Sequence, residues 1–191
     1  MRRGRNDMTM EETIMIRKAT RRDIPAITRI YERIHAREEA GLGTTGWKRG
    51  IYPTEETARR ALAGDELFVD EREGAVVAAA RINRVQEPEY ALCHWQYAAP
   101  EDKVMVLHTL TVDPEAAGQG VGSGFVAFYE QYARENGCSC LRMDTNQINA
   151  PARALYKRLG YREAGIVPCD FNGLGILQLV CLEKRLGEAE G

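Results

Sequence analysis

The stretch that most restricts the fold runs from Val104 to Val126. A β-rich run, Val104 to Val112, passes through an Asp113-Pro114 turn into a loop carrying Gly118, Gly120, Gly122 and Gly124. The loop opens into a helical pattern, with Val121, Phe125, Phe128 and Tyr132 at i, i+4, i+7 and i+11, which stops at Asn136-Gly137. A strand, a glycine-rich turn and a helix N-terminus together make an anion site. The first helical N–H groups have no internal partner, and the helix dipole adds partial positive charge there. Glycines let the main chain approach a phosphate without Cβ atoms in the way. The spacing excludes two common nucleotide loops. A dinucleotide fingerprint needs a glycine at i+5, where this chain has Ser123 or Phe125, and a P-loop needs a lysine that this loop lacks. What remains is G-x-G-x-G-x-G, with a pyrophosphate expected over Gly118 to Ser123. A glycine turn with no ligand is the alternative.

The remaining elements follow from periodicity. Thr13 to Ala19 is a short β run. Thr20 and Asp23 form a capping box, or Asp23 itself caps with Pro25 in the first turn, ahead of an amphipathic helix. Ile24, Ile27, Tyr31 and Ile34 mark its buried face as far as about Glu39. A glycine-containing loop, 41 to 53, holds Trp47 and Tyr52, and Thr54 caps a short helix ending near Gly64. Glu66–Glu71 and Ala75–Asn83 flank a hairpin turn. Residues 85 to 103 form a long irregular segment with Tyr90, Trp95 and Tyr97, of the kind that often carries function. Cys140 to Thr145 is a strand, Asn149 to Leu159 a helix, and Tyr161 to Val167 and Gly175 to Leu182 are terminal strands. This order predicts a single α/β domain, residues 13–187, with a mixed sheet and helices on both faces.

Composition excludes several function classes. A net charge of −2 lacks the basic excess of a nucleic-acid footprint. There is no apolar run of about eighteen residues, so no membrane partner is expected. Arg2, Arg3 and Arg5 are followed by Asn6, Asp7, Glu11 and Glu12 rather than an apolar segment, so residues 1–12 read as a solvated tail and not a leader. Five cysteines are an odd number without scaffold density, which suggests reduced thiols and a cytoplasmic setting. Cys138-Ser-Cys140 has no second pair at zinc spacing, so no metal is expected.

A second motif, Asn149-Ala-Pro-Ala-Arg-Ala-Leu-Tyr-Lys-Arg-Leu-Gly-Tyr161, lies downstream of the loop. Together the two segments resemble the GNAT superfamily of acyl-CoA N-acyltransferases. Asn149, Ala152, Leu155, Tyr156, Gly160 and Tyr161 match the family's helix motif, and Gly120 and Gly122 match its loop glycines. The family's Gln/Arg falls on Ala117, which implies weaker anchoring with backbone donors doing most of the work. The resemblance spans roughly residues 14 to 184. It implies a mostly antiparallel sheet of six or seven strands, with a cleft where the fourth and fifth splay apart. It also implies acetyl-CoA as cosubstrate.

By that resemblance, Leu110, Thr111, Val112, Ala117, Gly118, Gln119, Gly120, Val121, Gly122, Ser123, Asn149, Ala152 and Tyr156 hold the coenzyme. Leu110 and Val112 would do so through backbone groups that pair with the pantetheine arm. Tyr156 would face the sulfur as the acid; a helical aromatic packed on the sheet is the bland alternative. Alternation places Val104, Val106, His108, Leu110 and Val112 on one strand face. His108 is the candidate base, since an imidazole near pKa ~6.5 suits neutral proton transfer, or else a core histidine. Glu87, Glu89 and Glu101 are the runners-up. Trp47, Tyr52, Tyr90, Trp95 and Tyr97 would wall the acceptor pocket, or simply anchor their loops. The expected activity is acetyl transfer to a primary amine, a small molecule, by direct attack in a ternary complex. The rivals are a non-catalytic acyl-CoA-binding or sensor domain and acetylation of a protein N-terminus or lysine. Pairing with a second copy of the chain is left open.

Overall fold

The computed structural model describes residues 14–171 and 173–187. The expected tail, 1–12, and Thr13 lie outside the described residues. Within them, seven strands form one sheet, in the order β1 (Ile14–Lys18), β2 (Leu67–Arg72), β3 (Ala75–Asn83), β4 (Val104–Val112), β5 (Cys140–Asn146), β7 (Ile176–Arg185), β6 (Arg162–Asp170). Every neighbouring pair is antiparallel except β4 and β5. The parallel pair requires a crossover, supplied by the glycine loop and helix α3 (Val121–Glu135).

Helices cover both faces. On β2, Leu67 and Val69 pack with Ile24, Ile27 and Tyr31 of α1 (Ile24–Glu39) and with Ala58 and Ala61 of α2 (Glu55–Ala63). The alternate residue, Phe68, joins Phe125 and Tyr129 of α3 and Tyr156 of α4 (Ala150–Arg158) on the other face. Each of these aromatic side chains contributes about 1.5–3 kcal/mol by leaving water. A third apolar group seats Tyr90 and its segment against Val104, Val106, Leu179 and Cys181. Asp23 does not cap α1 with its side chain. Its carboxylate instead accepts from the Thr20 N–H at 2.7 Å and from Arg17 at 2.9 Å. The strand expected to end at Val167 runs on, with Pro168 within β6 opposite Gln178. An edge strand tolerates it, because no ladder donor is lost toward solvent.

β4 departs from simple alternation. His108 pairs with Arg81 and Thr111 with Ala79, so Thr109 and Leu110 together oppose Ala80. Thr109 has φ +52°, an unfavourable conformation for a β-branched residue, and the strand bulges there. The bulge inverts the faces beyond it. Val104 and Val106 lie with Tyr90, while Leu110 and Val112 lie with the α3 core. The single face expected for Val104, Val106, His108, Leu110 and Val112 is therefore not formed.

Candidate active site: a cleft where β4 leaves β5

β4 and β5 are paired only from Val104–Cys140 to Leu107–Met143. The Tyr129 hydroxyl donates to Met105 O at 2.7 Å and Arg142 O at 3.1 Å, tying the two strands together within the paired stretch. Beyond it, the β5-facing edge of β4 is open. The Asp113 N–H donates to Val77 O of β3 at 2.8 Å. In an antiparallel ladder, bonding groups alternate in direction, so the backbone groups of Val112 and Leu110 face the open edge. Thr111 faces the other way. Its side chain is buried and donates to Ala79 O at 3.0 Å, so among the expected coenzyme residues it serves the sheet instead.

The glycine loop stands beside this edge. Gly118 and Gly120 have φ +79° and +74°, which other residues adopt at a cost. The N–H groups of Gly118, Gly120, Val121, Gly122 and Ser123 have no acceptor among the described residues, and the Gly124 N–H bonds to Gly120 O at 2.9 Å. These donors at the head of a 15-residue helix suit a pyrophosphate. Gly122 has a different reason to be glycine. A Cβ there would lie 3.2 Å from Leu155 Cδ2, so the position lets α3 pack on α4. Ala117 and Gln119 are exposed. Arg72, which sequence reasoning missed, braces the loop by donating to Gln119 O at 3.2 Å while paired with buried Asp70 at 3.1 Å.

The splayed strands open onto a cavity of about 470 Å³. Its lining includes Trp47, Tyr52, Glu87, His108, Leu110, Asp144, Asn149, Ala152, Tyr156 and Phe171. Asn149, Ala152 and Tyr156 share one face of α4 by their i, i+3, i+7 spacing. Asn149 caps that helix, accepting from the Ala152 N–H at 3.3 Å, while its amide donates to Thr145 Oγ1 at 3.1 Å. Tyr156 is 6% exposed and its hydroxyl has no hydrogen-bond partner among the described residues. Burial raises its pKa, so the phenol keeps its proton at neutral pH.

His108 is held from two sides. Its Nε2 lies 2.9 Å from Asn83 Oδ1, and its Nδ1 lies 3.3 Å from Glu87 Oε1. The Asn83 amide donates to Glu66 at 2.9 Å. The hydrogen bond to His108 holds the Glu87 carboxyl below the ordinary carboxylate range. Base and runner-up are thus one pair in contact, not separate options. Glu89 and Glu101 do not line the cavity.

The aromatic residues divide. Trp47 and Tyr52 meet edge-on at 5.7 Å, and Tyr52 meets Phe171 at 5.0 Å, forming one wall. His35 of α1 supports this wall, with Nε2 3.0 Å from Tyr52 O. Tyr90, Trp95 and Tyr97, expected in the same wall, do not reach the cavity. Tyr90 is core, and Trp95 donates to Tyr90 O at 2.8 Å while stacking under Arg142 at 4.1 Å. The Tyr97 N–H donates to the buried Glu183 carboxylate at 3.2 Å. These three are apolar enough to fold their own segment into core, which leaves the wall to the 41–53 loop and Phe171. Asp144, half-buried at the cavity, was not foreseen; it accepts from the Tyr90 hydroxyl at 2.7 Å.

Comparison with known proteins adds to this geometry. The family model described as "Acetyltransferase (GNAT) family" matches residues 27–161. An uncharacterized N-acetyltransferase, YhfO of Bacillus subtilis (strain 168), is 36% identical over 61 residues, 32% of this chain and 41% of its own. N-acetyltransferase 8B of Homo sapiens is 31% identical over 102 residues, 53% of this chain and 40% of its own. The matches thus span about two fifths of these relatives' length. The structure of yncA from Salmonella typhimurium, described as a putative acetyltransferase with its cofactor acetyl-CoA, superposes with TM-score 0.63 at 20% identity. It covers 93% of this chain and 96% of that one, a likeness of fold.

Proposed function

The chain belongs to the acetyltransferase (GNAT) family, and from that premise we propose that it is an acetyl-CoA-dependent N-acetyltransferase acting on a primary amine. The observation that carries this reading is the open β4 edge, with free N–H donors at one end and the His108–Glu87 pair and Tyr156 lining the cavity behind it. Acetyl-CoA, when bound, supplies an acetyl thioester. The loop donors from Gly118 to Ser123 hold its pyrophosphate, and the exposed backbone of Leu110 and Val112 aligns the pantetheine arm as an added strand would lie. Asn149 borders the same path.

An amine enters mostly as ammonium, with a pKa of about 10, and must lose a proton before it can attack. Asn83 commits Nε2 of His108 as a donor, so the proton is taken at Nδ1, facing Glu87. Direct attack in a ternary complex then forms the C–N bond and breaks the C–S bond. The Leu110 N–H at the open edge then helps to hold the oxyanion. Tyr156 gives its proton to the departing sulfur. The concave cavity, walled by Trp47, Tyr52 and Phe171, supports a small-molecule acceptor. A screen of primary amines that detects released CoA thiol tests this. Acetyl-CoA binding without amine-dependent release from any of them would leave a binding domain instead.

A further inference from the structure

Among the described residues, Glu87, Arg81 and Arg60 of the cavity lining each touch a side chain able to carry the opposite charge, His108 serving Glu87 when it is protonated, whereas Asp144 touches none. Glu87 faces His108 at 3.3 Å. Arg81 is paired with Glu66 at 2.7 Å, and Arg60 lies 3.7 Å from Glu56. Asp144 is in hydrogen-bond contact only with the neutral Tyr90 hydroxyl, at 2.7 Å, while His108 acts on it from farther off. It sits on β5 one residue past the last β4 pair, where the strands part. A second observation points to a ligand at the same place. Tyr156, 6% exposed, lines the cavity with a hydroxyl that bonds to nothing among the described residues. The same cavity therefore presents an unmatched carboxylate, an unmatched phenol and an aromatic wall.

Resting on the acetyltransferase reading, we propose that Asp144 is the counter-ion that seats the acceptor's ammonium group, and that the acceptor is an amine with an apolar or aromatic body and no carboxylate beside the nitrogen. A carboxylate partly withdrawn from water without a contacting cation is costly, and a ligand that brings the cation reduces that cost. Burial raises the pKa of Asp144, and the Glu87 and Glu89 charges add to the rise, while the Tyr90 hydroxyl and His108 oppose it; an arriving ammonium acts in the same sense as the last two. A carboxylate on the carbon next to the amine would be held close to Asp144 and Glu87, where repulsion disfavours it. Trp47, Tyr52 and Phe171 offer ring edges and faces to the body of the amine.

The test compares matched pairs that differ by one carboxylate: 2-phenylethylamine with phenylalanine, tryptamine with tryptophan, and 3-methylbutylamine with leucine. Initial rates of CoA-thiol release are measured on the full chain, with acetyl-CoA binding followed separately by calorimetry. The expected result is a kcat/KM at least about 10²-fold higher for at least one amine than for its amino acid. Asp144→Asn should raise the KM for that amine roughly 10-fold or more and narrow the ratio, with acetyl-CoA affinity unchanged. Asp144→Glu keeps the charge and should retain the preference for the amine. If Asp144→Asn fails to fold, the wild-type ratio and the Glu variant decide. Amino acids that react as well as their amines, an unchanged ratio in a folded Asp144→Asn variant, or acetylation of none of the amines by a chain that binds acetyl-CoA would each overturn the assignment. A chain that binds no acetyl-CoA overturns the acetyltransferase reading itself, and this inference with it.

Discussion

Asn83 fixes the tautomer of His108. The Asn83 amide nitrogen donates to Glu66 at 2.9 Å, so its oxygen is the atom facing the imidazole, and His108 Nε2, 2.9 Å away, must donate to it. Proton exchange is thereby confined to Nδ1, beside Glu87. The kcat/KM should rise with pH along an acidic limb that reports this pair. His108→Gln should remove the limb and lower the rate. A His108→Gln variant that melts early yet keeps the wild-type limb would assign His108 to packing alone.

Glu87 should also stabilise the fold in a pH-dependent way. Its folded pKa lies below the ordinary value of 4.5, because the charged form accepts a hydrogen bond from His108 Nδ1 when the imidazole carries both protons. A depressed carboxyl pKa contributes stability above the unfolded value, and that stability is lost as pH falls through the folded value. The melting-temperature gap between wild type and Glu87→Gln should be fully open at pH 5–6 and close progressively below about pH 4.5. A gap that widens on acidification would contradict the pairing.

Tyr156→Phe separates chemistry from packing. The hydroxyl makes no hydrogen bond among the described residues, so its removal should leave the melting temperature nearly unchanged. The ring still packs with Tyr161, 6.0 Å away. If Tyr156 protonates the leaving thiolate, kcat should fall roughly 10²-fold with acetyl-CoA affinity little altered. Wild-type kcat where the chemical step is rate-limiting would reduce Tyr156 to a core residue.

The two loop glycines should fail differently. Gly120→Val forces a β-branched residue to φ +74° and puts bulk among the free N–H donors, so calorimetry should show acetyl-CoA affinity at least about 10-fold weaker in the folded fraction. Gly122→Ala meets Leu155 Cδ2 at 3.2 Å, so its first effect should be a lower melting temperature, relieved by a Leu155→Ala second change. Unchanged affinity in a folded Gly120→Val protein would remove the loop from coenzyme binding.

The sheet, its helices and the glycine turn were legible in the sequence because period and turn residues act locally. The bulge at Thr109 was not. Threonine is a common strand residue, and nothing near it announces φ +52°. That one residue moved Leu110 and Val112 to the opposite face from Val106. Asp144 and Asn83 were likewise invisible, since their roles depend on partners 54 and 25 residues away. Tyr90 and Trp95 misled for the opposite reason. Aromatic residues in an irregular segment resemble a pocket wall, whereas here they give that segment its own core against β4 and β7.

Direct acetyl transfer within the cleft between β4 and β5 can be measured by initial rates of CoA-thiol release with acetyl-CoA and a primary amine varied together. Release should depend on the amine, the double-reciprocal lines should intersect, and the N-acetyl product should form. Parallel lines would point to a covalent acetyl-enzyme, and saturable acetyl-CoA binding with no amine-dependent release would contradict the enzyme altogether.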